Sequence, residues 1–385
     1  MIMAVFGLLA FALDCMRKRG VAFSKVTIVS AIVAAIFSVW CYFCITTNNT
    51  DDTSYATYIS SFATWLAGAY GACFLIRECH GRIDLGLLTL YLTLISVLQC
   101  VSALIIDNIP AVQRAVDSVV VQGQQFMHEV GRLYGIGAAL DTAGVRFSVT
   151  LLLIAHQLSH SKEVRENRSQ VVLYLVAYLF ILVVGSMIAR TTGVGAALGF
   201  VYMLASYLLL NRSSFSKGQK IFWRSLLALL AVGTVVIVVL YNRSQVFHNQ
   251  FRFAFEGFFN WVEYGEFRTD STDKLNNVMW IWPRDARSWM VGTGHFGNWF
   301  YSTDIGYCRI VLYGGIPAMV LFALMFVVLA IGMAQKFPQS GLLFLLMLAI
   351  SFIIWVKVST DLFFIYALLL CLPEPEKEEC ELSIA

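Results

Sequence analysis

Residues 26–46 read VTIVSAIVAAIFSVWCYFCIT, twenty-one consecutive positions without a charge. At 1.5 Å per residue that is about the thickness of a bilayer's hydrocarbon core, so the run reads as a membrane-crossing helix. Lys25 precedes it, and the loop after it, TNNTDDTSYAT at 47–57, carries no positive charge. The rest of the chain repeats the pattern. Of 385 residues, 59% are hydrophobic and 13% charged, with a mean hydropathy of +0.73. A soluble domain carries about twice that charge, so a soluble enzyme and a disordered chain are both excluded. The net charge of +3 comes from 27 basic and 24 acidic residues without a basic block, which argues against nucleic acid as a partner.

Further apolar runs lie at 58–76, 84–106, 145–158, 170–189, 194–210, 221–241, 305–333, 341–356 and 359–372. A shorter run at 2–13 lacks the basic start and small-residue cleavage site of a signal peptide and reads as a short span. The expected fold is all-α, a single transmembrane domain over 1–385 with about eleven helices. Every second short loop is basic: Arg17, Lys18, Arg19 and Lys25; Arg77 and Arg82; Lys162, Arg165 and Arg168; Arg212, Lys217, Lys220 and Arg224. By the positive-inside rule these loops are cytoplasmic, with the acidic tail 373–385. The long loops 107–144 and 242–304 then face the periplasm. An odd helix count with an outside N-terminus suggests that a first helix is missing. Nine cysteines lie mostly in apolar runs, and no Cys/His group has metal-ligand spacing, so neither disulfides, metal nor cofactor is expected.

Arginines at the outer rim need a partner or a ligand. Arg190, in VVGSMIARTTGVGAALGF (183–200), sits in a short hairpin with Gly193 and Gly195. It is either a fork for phosphate or pyrophosphate or an interfacial arginine whose stem snorkels. Arg132 and Arg146 stand fourteen residues apart in GRLYGIGAALDTAGVRF (131–147). Upstream, VQRAVDSVVVQGQQFMHEVGRL (112–133) reads as a surface amphipathic helix, with His128 exposed and Glu129 within reach of Arg132. The second long loop holds five of nine tryptophans, Trp261, Trp280, Trp282, Trp289 and Trp299. They serve as an aromatic belt or as stacking faces for sugars. It opens with FRFAFEGFFNWVEYGEF (251–267), an interfacial helix placing Phe251, Phe255, Phe258 and Val262 on one face, with Arg252 and Glu256 as an i,i+4 pair.

The densest cluster is PRDARSWMVGTGHFGNWFYSTDIGYCRIVLYGGIPAM (283–319). His295 sits among Gly292, Gly294 and Gly297, followed by Asp304, Tyr307 and Arg309 at the mouth of the ninth span. Asp304 and Tyr307 are i,i+3 neighbours if both are helical. A carboxylate or imidazole there could take a proton from a substrate hydroxyl; alternatively Asp304 only caps the helix.

The order of these pieces resembles the O-antigen polymerase and O-antigen ligase superfamily, polytopic bacterial membrane glycosyltransferases. The pieces are R-x-x-G at Arg132–Gly135, A-R-T-T-G around Arg190, a long outer loop, V-G-T-G-H at 291–295 and D-I-G-Y at 304–307. They span about 120 to 330. D-x-G-Y is similar to the polymerase branch, whereas the ligase branch shows a His-Asn pair there. The family's Ser-Arg-Gly hairpin is replaced by Ala189-Arg190-Thr191. The resemblance implies metal-independent polymerisation of lipid-linked oligosaccharide repeat units for O-antigen, capsule or exopolysaccharide, at the periplasmic face of the inner membrane. Donor and acceptor would be undecaprenyl-diphosphate-linked glycans, and the protein partners a chain-length regulator and a flippase. Arg190, Arg132, Arg252 and Arg309 would hold the donor diphosphate. Asp304 or His295, with Tyr307, would serve the acceptor. A ligase, a cell-wall polymerase and a flippase or transporter of the same lipids remain as alternatives; a transporter would need charges along a path through the membrane. Lys357 and Asp361, the main late charges, fall near an outer boundary.

Overall fold

A computed structural model describes residues 1–18, 23–120, 127, 132–210, 217–297 and 300–374. The described chain is all-helical, without a strand. Seven of the described helices are long and apolar enough to cross a membrane: Lys25–Thr47, Tyr58–His80, Leu85–Asn108, Arg168–Ile188, Lys220–Arg243, Gly306–Lys336 and Pro338–Trp355. This is a helical membrane protein. The chain divides into two compact units, one formed by Met1–Leu85 with Lys274–Ala385, the other by Gly86–Asp273.

In the first unit, α1 (Ile2–Lys18), α2 (Lys25–Thr47) and α3 (Tyr58–His80) come from the N-terminal part. The 2–13 run is thus a 17-residue helix, and small residues let it press against α3. A Cβ on Gly7 would stand 1.7 Å from the Ala67 carbonyl oxygen. Asp14, buried in α1, receives the Tyr70 hydroxyl at 2.5 Å and pairs with Arg77.

The C-terminal part of this unit departs from the expected spans. The run 305–333 lies in one helix, α15 (Gly306–Lys336), but it breaks at Gly315 (φ 74, ψ −175), two residues before Pro317. Proline cannot donate to the carbonyl four residues back, so the last turn before the break leaves acceptors open. They are filled from elsewhere. Thr293 N–H and Gly294 N–H donate to the Leu312 and Tyr313 carbonyls at 2.7 and 2.9 Å, and Trp40 Nε1 donates to Gly314 at 2.8 Å. After α16 (Gly341–Trp355) the expected span 359–372 forms only α17 (Phe363–Leu370). Eight helical residues reach about 12 Å, too short to cross a bilayer as a helix. Asp361 ends the preceding loop by accepting Phe363 N–H at 2.8 Å and the Tyr58 hydroxyl at 3.1 Å. The core is aromatic, with Phe322 5.1 Å from both Phe37 and Trp355.

The second unit runs through α4 (Leu85–Asn108), α5 (Pro110–Val119), α6 (Leu140–His160), α7 (Lys162–Glu166), α8 (Arg168–Ile188), α9 (Thr192–Leu210), α10 (Lys217–Arg243), α11 (Gln245–Ala254) and α12 (Glu256–Tyr264). Its axis is α6, buried continuously from Phe147 to Ser159. A Cβ on Gly195 would stand 2.1 Å from Ser148 Cα, so α9 crosses α6 backbone against backbone. Enclosure by protein explains how α6 carries Arg146, His156 and Gln157 inside its turns. Of the amphipathic helix expected over 112–133, only 112–119 are helical, in α5; the backbone is extended at Val120, and 121–126 and 128–131, with His128 and Glu129, lie outside the described residues.

Candidate functional site

Two groups of the singled-out residues are assembled, one in each unit. In the second unit α8 ends at Ile188 and α9 begins at Thr192, so Arg190 sits in the tight hairpin between them. The Ser148 hydroxyl donates to the Thr191 carbonyl at 2.7 Å and fastens the hairpin to α6. Arg190 stands 4.1 Å over the Phe253 ring, and Arg132 stands 5.5 Å from the same ring. Phe253 therefore gathers two guanidinium groups beside one π-face system. Arg190 Nη2 meets Glu256 at 2.5 Å, and Nη1 donates to Ser271 at 3.0 Å. The Nε atoms of both Arg190 and Arg132 are buried without a partner. Burial pulls the Arg190 guanidinium below its usual pKa; Glu256 opposes this and Arg132 adds to it.

These groups, with Arg252, Asn260 and Asp270, line an open cavity of about 440 Å³. The expected pairing of Arg252 with Glu256 is not formed. The chain leaves helical geometry at Phe255 (φ −113, ψ 26), so the two residues belong to successive helices. Arg252 instead donates to Glu263 at 2.7 Å, while Glu256 turns to Arg190. The same break divides the expected aromatic face: Phe251 packs on Phe255, Phe258 on Phe267, and Val262 is exposed. Arg146 does not line the cavity. Its Nε and Nη2 are buried within α6 without partners.

In the first unit the carbonyls exposed by the Gly315 break seat the V-G-T-G-H run. Gly292 (φ 63) and Gly294 (φ 70) are left-handed, and a Cβ on Gly292 would stand 2.2 Å from the Tyr313 oxygen, so the close approach requires glycine. The loop 47–57 holds the run from its other side with alternate residues. Asn48 Nδ2 donates to Gly292 O at 3.3 Å, Thr50 Oγ1 to Gly294 O at 3.1 Å, and Asp52 accepts both Phe296 N–H and Gly297 N–H at 2.6 Å. In sequence Asp52 is one of two adjacent carboxylates in a loop without positive charge; in the fold it is a clamp. Burial would raise its pKa, but the hydrogen bonds from Gly297, Ser54 and Phe296 prevail and lower it.

Arg309, on the first turns of α15, donates to the Phe296 carbonyl at 2.6 Å and lies 3.7 Å over its ring. His295 stacks on Phe300 at 4.4 Å. The two share a recess of about 10 Å³, roughly one water, also lined by Tyr301 and Thr303. Asp304 and Tyr307 are not among its lining residues. Asp304 precedes the helix, whose N-cap is Ile305, so it is neither an i,i+3 helical partner of Tyr307 nor the cap. Its charge acts on Arg309. The Tyr307 hydroxyl donates to the Phe352 carbonyl at 2.8 Å and ties α15 to α16. Arg309, expected with the donor-binding arginines, belongs to the first unit, while Arg132, Arg190 and Arg252 belong to the second.

Trp280, Trp282 and Trp289 form a ladder with centroids 5.9 and 5.6 Å apart. Trp261 is exposed and Trp299 lies outside the described residues. Among the described residues no three of His, Cys, Asp or Glu converge as a metal site. No protein-family model matches this chain, and neither a curated protein nor a solved structure matches it.

Proposed function

We propose that this protein polymerises lipid-linked oligosaccharide repeat units, transferring a growing glycan from its undecaprenyl diphosphate to the terminal sugar of another lipid-linked unit. The observation that carries the reading is the three-arginine cavity of the second unit, with two buried guanidinium N–H groups left without acceptors. Buried donors are rarely left unmatched, and a planar fork suits diphosphate oxygens. Diphosphate is already a good leaving group, so the required catalysis is stabilisation of the charge it gains on departure. Arg190 and Arg132 would supply it. The proton of the attacking hydroxyl needs an acceptor, and the candidates, His295 and Asp304, belong to the first unit. His295 is the better supported of the two, because its loop is anchored at every residue from 292 to 297 except itself.

In this reading the chain is a multi-pass protein of a bacterial inner membrane, with 107–144 and 242–304 in the periplasm and 159–169 in the cytoplasm. Labelling of single cysteines with an impermeant reagent in spheroplasts tests the orientation: reaction at 270 and not at 165 is expected, and the reverse overturns it. The activity is tested with purified protein and a synthetic undecaprenyl-diphosphate-linked repeat unit. A ladder of lengthened lipid-linked glycans is the expected product. Transfer only to a foreign acceptor, or transbilayer movement without lengthening, would replace polymerase by ligase or flippase.

A further inference from the structure

The Arg190 fork is already occupied by the chain's own carboxylate. Glu256 gives one oxygen to Arg190 Nη2 at 2.5 Å, and its other oxygen accepts the Asp270 N–H at 3.0 Å. Arg190 Nη1 completes the knot by donating to Ser271 at 3.0 Å. Thus one arginine ties the outer hairpin to the head of α12 and to the head of the next helix, α13 (Asp270–Val278). Neither partner is sealed off: the side chains of Arg190 and Glu256 are 17% and 22% exposed, on the wall of an open cavity. Glu256 also stands one residue past Phe255, where the backbone leaves helical geometry between α11 and α12.

We propose that Glu256 is a displaceable internal counter-ion of the arginine cavity: an incoming diphosphate takes Arg190 by expelling this carboxylate, and the expulsion releases the heads of α12 and α13. The inference rests on the diphosphate-binding role given to the cavity above. A carboxylate brings one charge and two oxygens, and Glu256 leaves the Nε donors of Arg190 and Arg132 unmatched. A diphosphate brings more charge and more acceptor oxygens and can bridge the two guanidinium groups that share Phe253. The ion pair offsets the mutual repulsion of the arginines lining the cavity. It also sets a threshold that weakly charged anions do not pass, because the pair must first be broken.

The test uses the full chain in detergent micelles with inorganic pyrophosphate as the probe. Glu256→Gln should bind pyrophosphate about tenfold more tightly than the natural protein, since the competing charge is gone while the shape is kept. Saturating pyrophosphate should speed amide exchange across 256–271 in the natural protein. Unchanged or weaker affinity in Glu256→Gln, together with unchanged exchange in the natural protein, would make Glu256 a fixed structural partner and overturn the proposal. Should the variant fail to fold, the exchange measurement on the natural protein decides by itself. If the folded natural protein and the folded variant both fail to bind pyrophosphate, the diphosphate role of the cavity falls, and the counter-ion proposal with it.

Discussion

Replacing Asp52 by alanine removes the acceptor of two short backbone hydrogen bonds, Phe296 N–H and Gly297 N–H, both at 2.6 Å. A hydrogen bond to a charged group contributes about 1.5–3 kcal/mol. Asp52 is half-buried, so solvent screening reduces the pair to about 2–3 kcal/mol in total. That loss should loosen the loop without unfolding the unit, because Thr293 and Gly294 keep their own bonds to the α15 carbonyls. Amide exchange of 295–297 should accelerate by about thirtyfold or more, following the conversion of 1.4 kcal/mol per factor of ten. If His295 is the base, kcat should fall with little change in KM. Asp52→Asn keeps one acceptor oxygen and should lie between the two. The folded-state pKa of Asp52 is lowered, so its contribution is present above the ordinary carboxylate range and is lost as the pH falls through that lowered value. Protection at 296–297 should therefore be flat near neutrality and decline in acid. Natural exchange and natural activity in Asp52→Ala would refute the clamp.

For the donor grip, Arg190→Ala or Arg132→Ala should slow polymerisation about a hundredfold or more at unchanged protein level, the effect of about 3 kcal/mol of lost transition-state stabilisation. Lysine at either position should rescue only in part, since a point charge lacks the fork; rapid chain extension by an alanine variant would remove that arginine from the site. The proton acceptor is decided by comparing His295→Gln with Asp304→Asn in the same assay, the inactive variant marking the base, and normal extension by both excluding each of them. Gly315→Ala should lower the melting temperature markedly, because the residue is left-handed and its Cβ would stand 2.2 Å from the Met290 oxygen. Gly193→Ala meets nothing within 4 Å, so equal melting losses for the two would contradict the kinked-helix geometry.

The all-helical membrane class was legible in runs such as 26–46 because transfer into lipid is a local property, summed residue by residue along the segment. Arg190 and His295 could be singled out for the same kind of reason: an arginine in a short hairpin between apolar runs and a histidine among glycines are visible without knowing their neighbours. Their partners were not. Asp52 meets Phe296 across 244 residues, and nothing in TNNTDDTSYAT distinguishes a clamp from a solvated tip. Arg252 and Glu256 have the spacing of a helical pair, yet a single non-helical residue, Phe255, sends one to Glu263 and the other to Arg190. Likewise, hydropathy marks 305–333 as one span, while the Gly315 break inside it creates the free carbonyls that seat the His295 loop. What depends on the solvent around each segment could be read along the chain. Hydrogen-bond partners required the fold, because a buried donor or acceptor is satisfied by whatever the packing brings within 3 Å, at any distance in sequence.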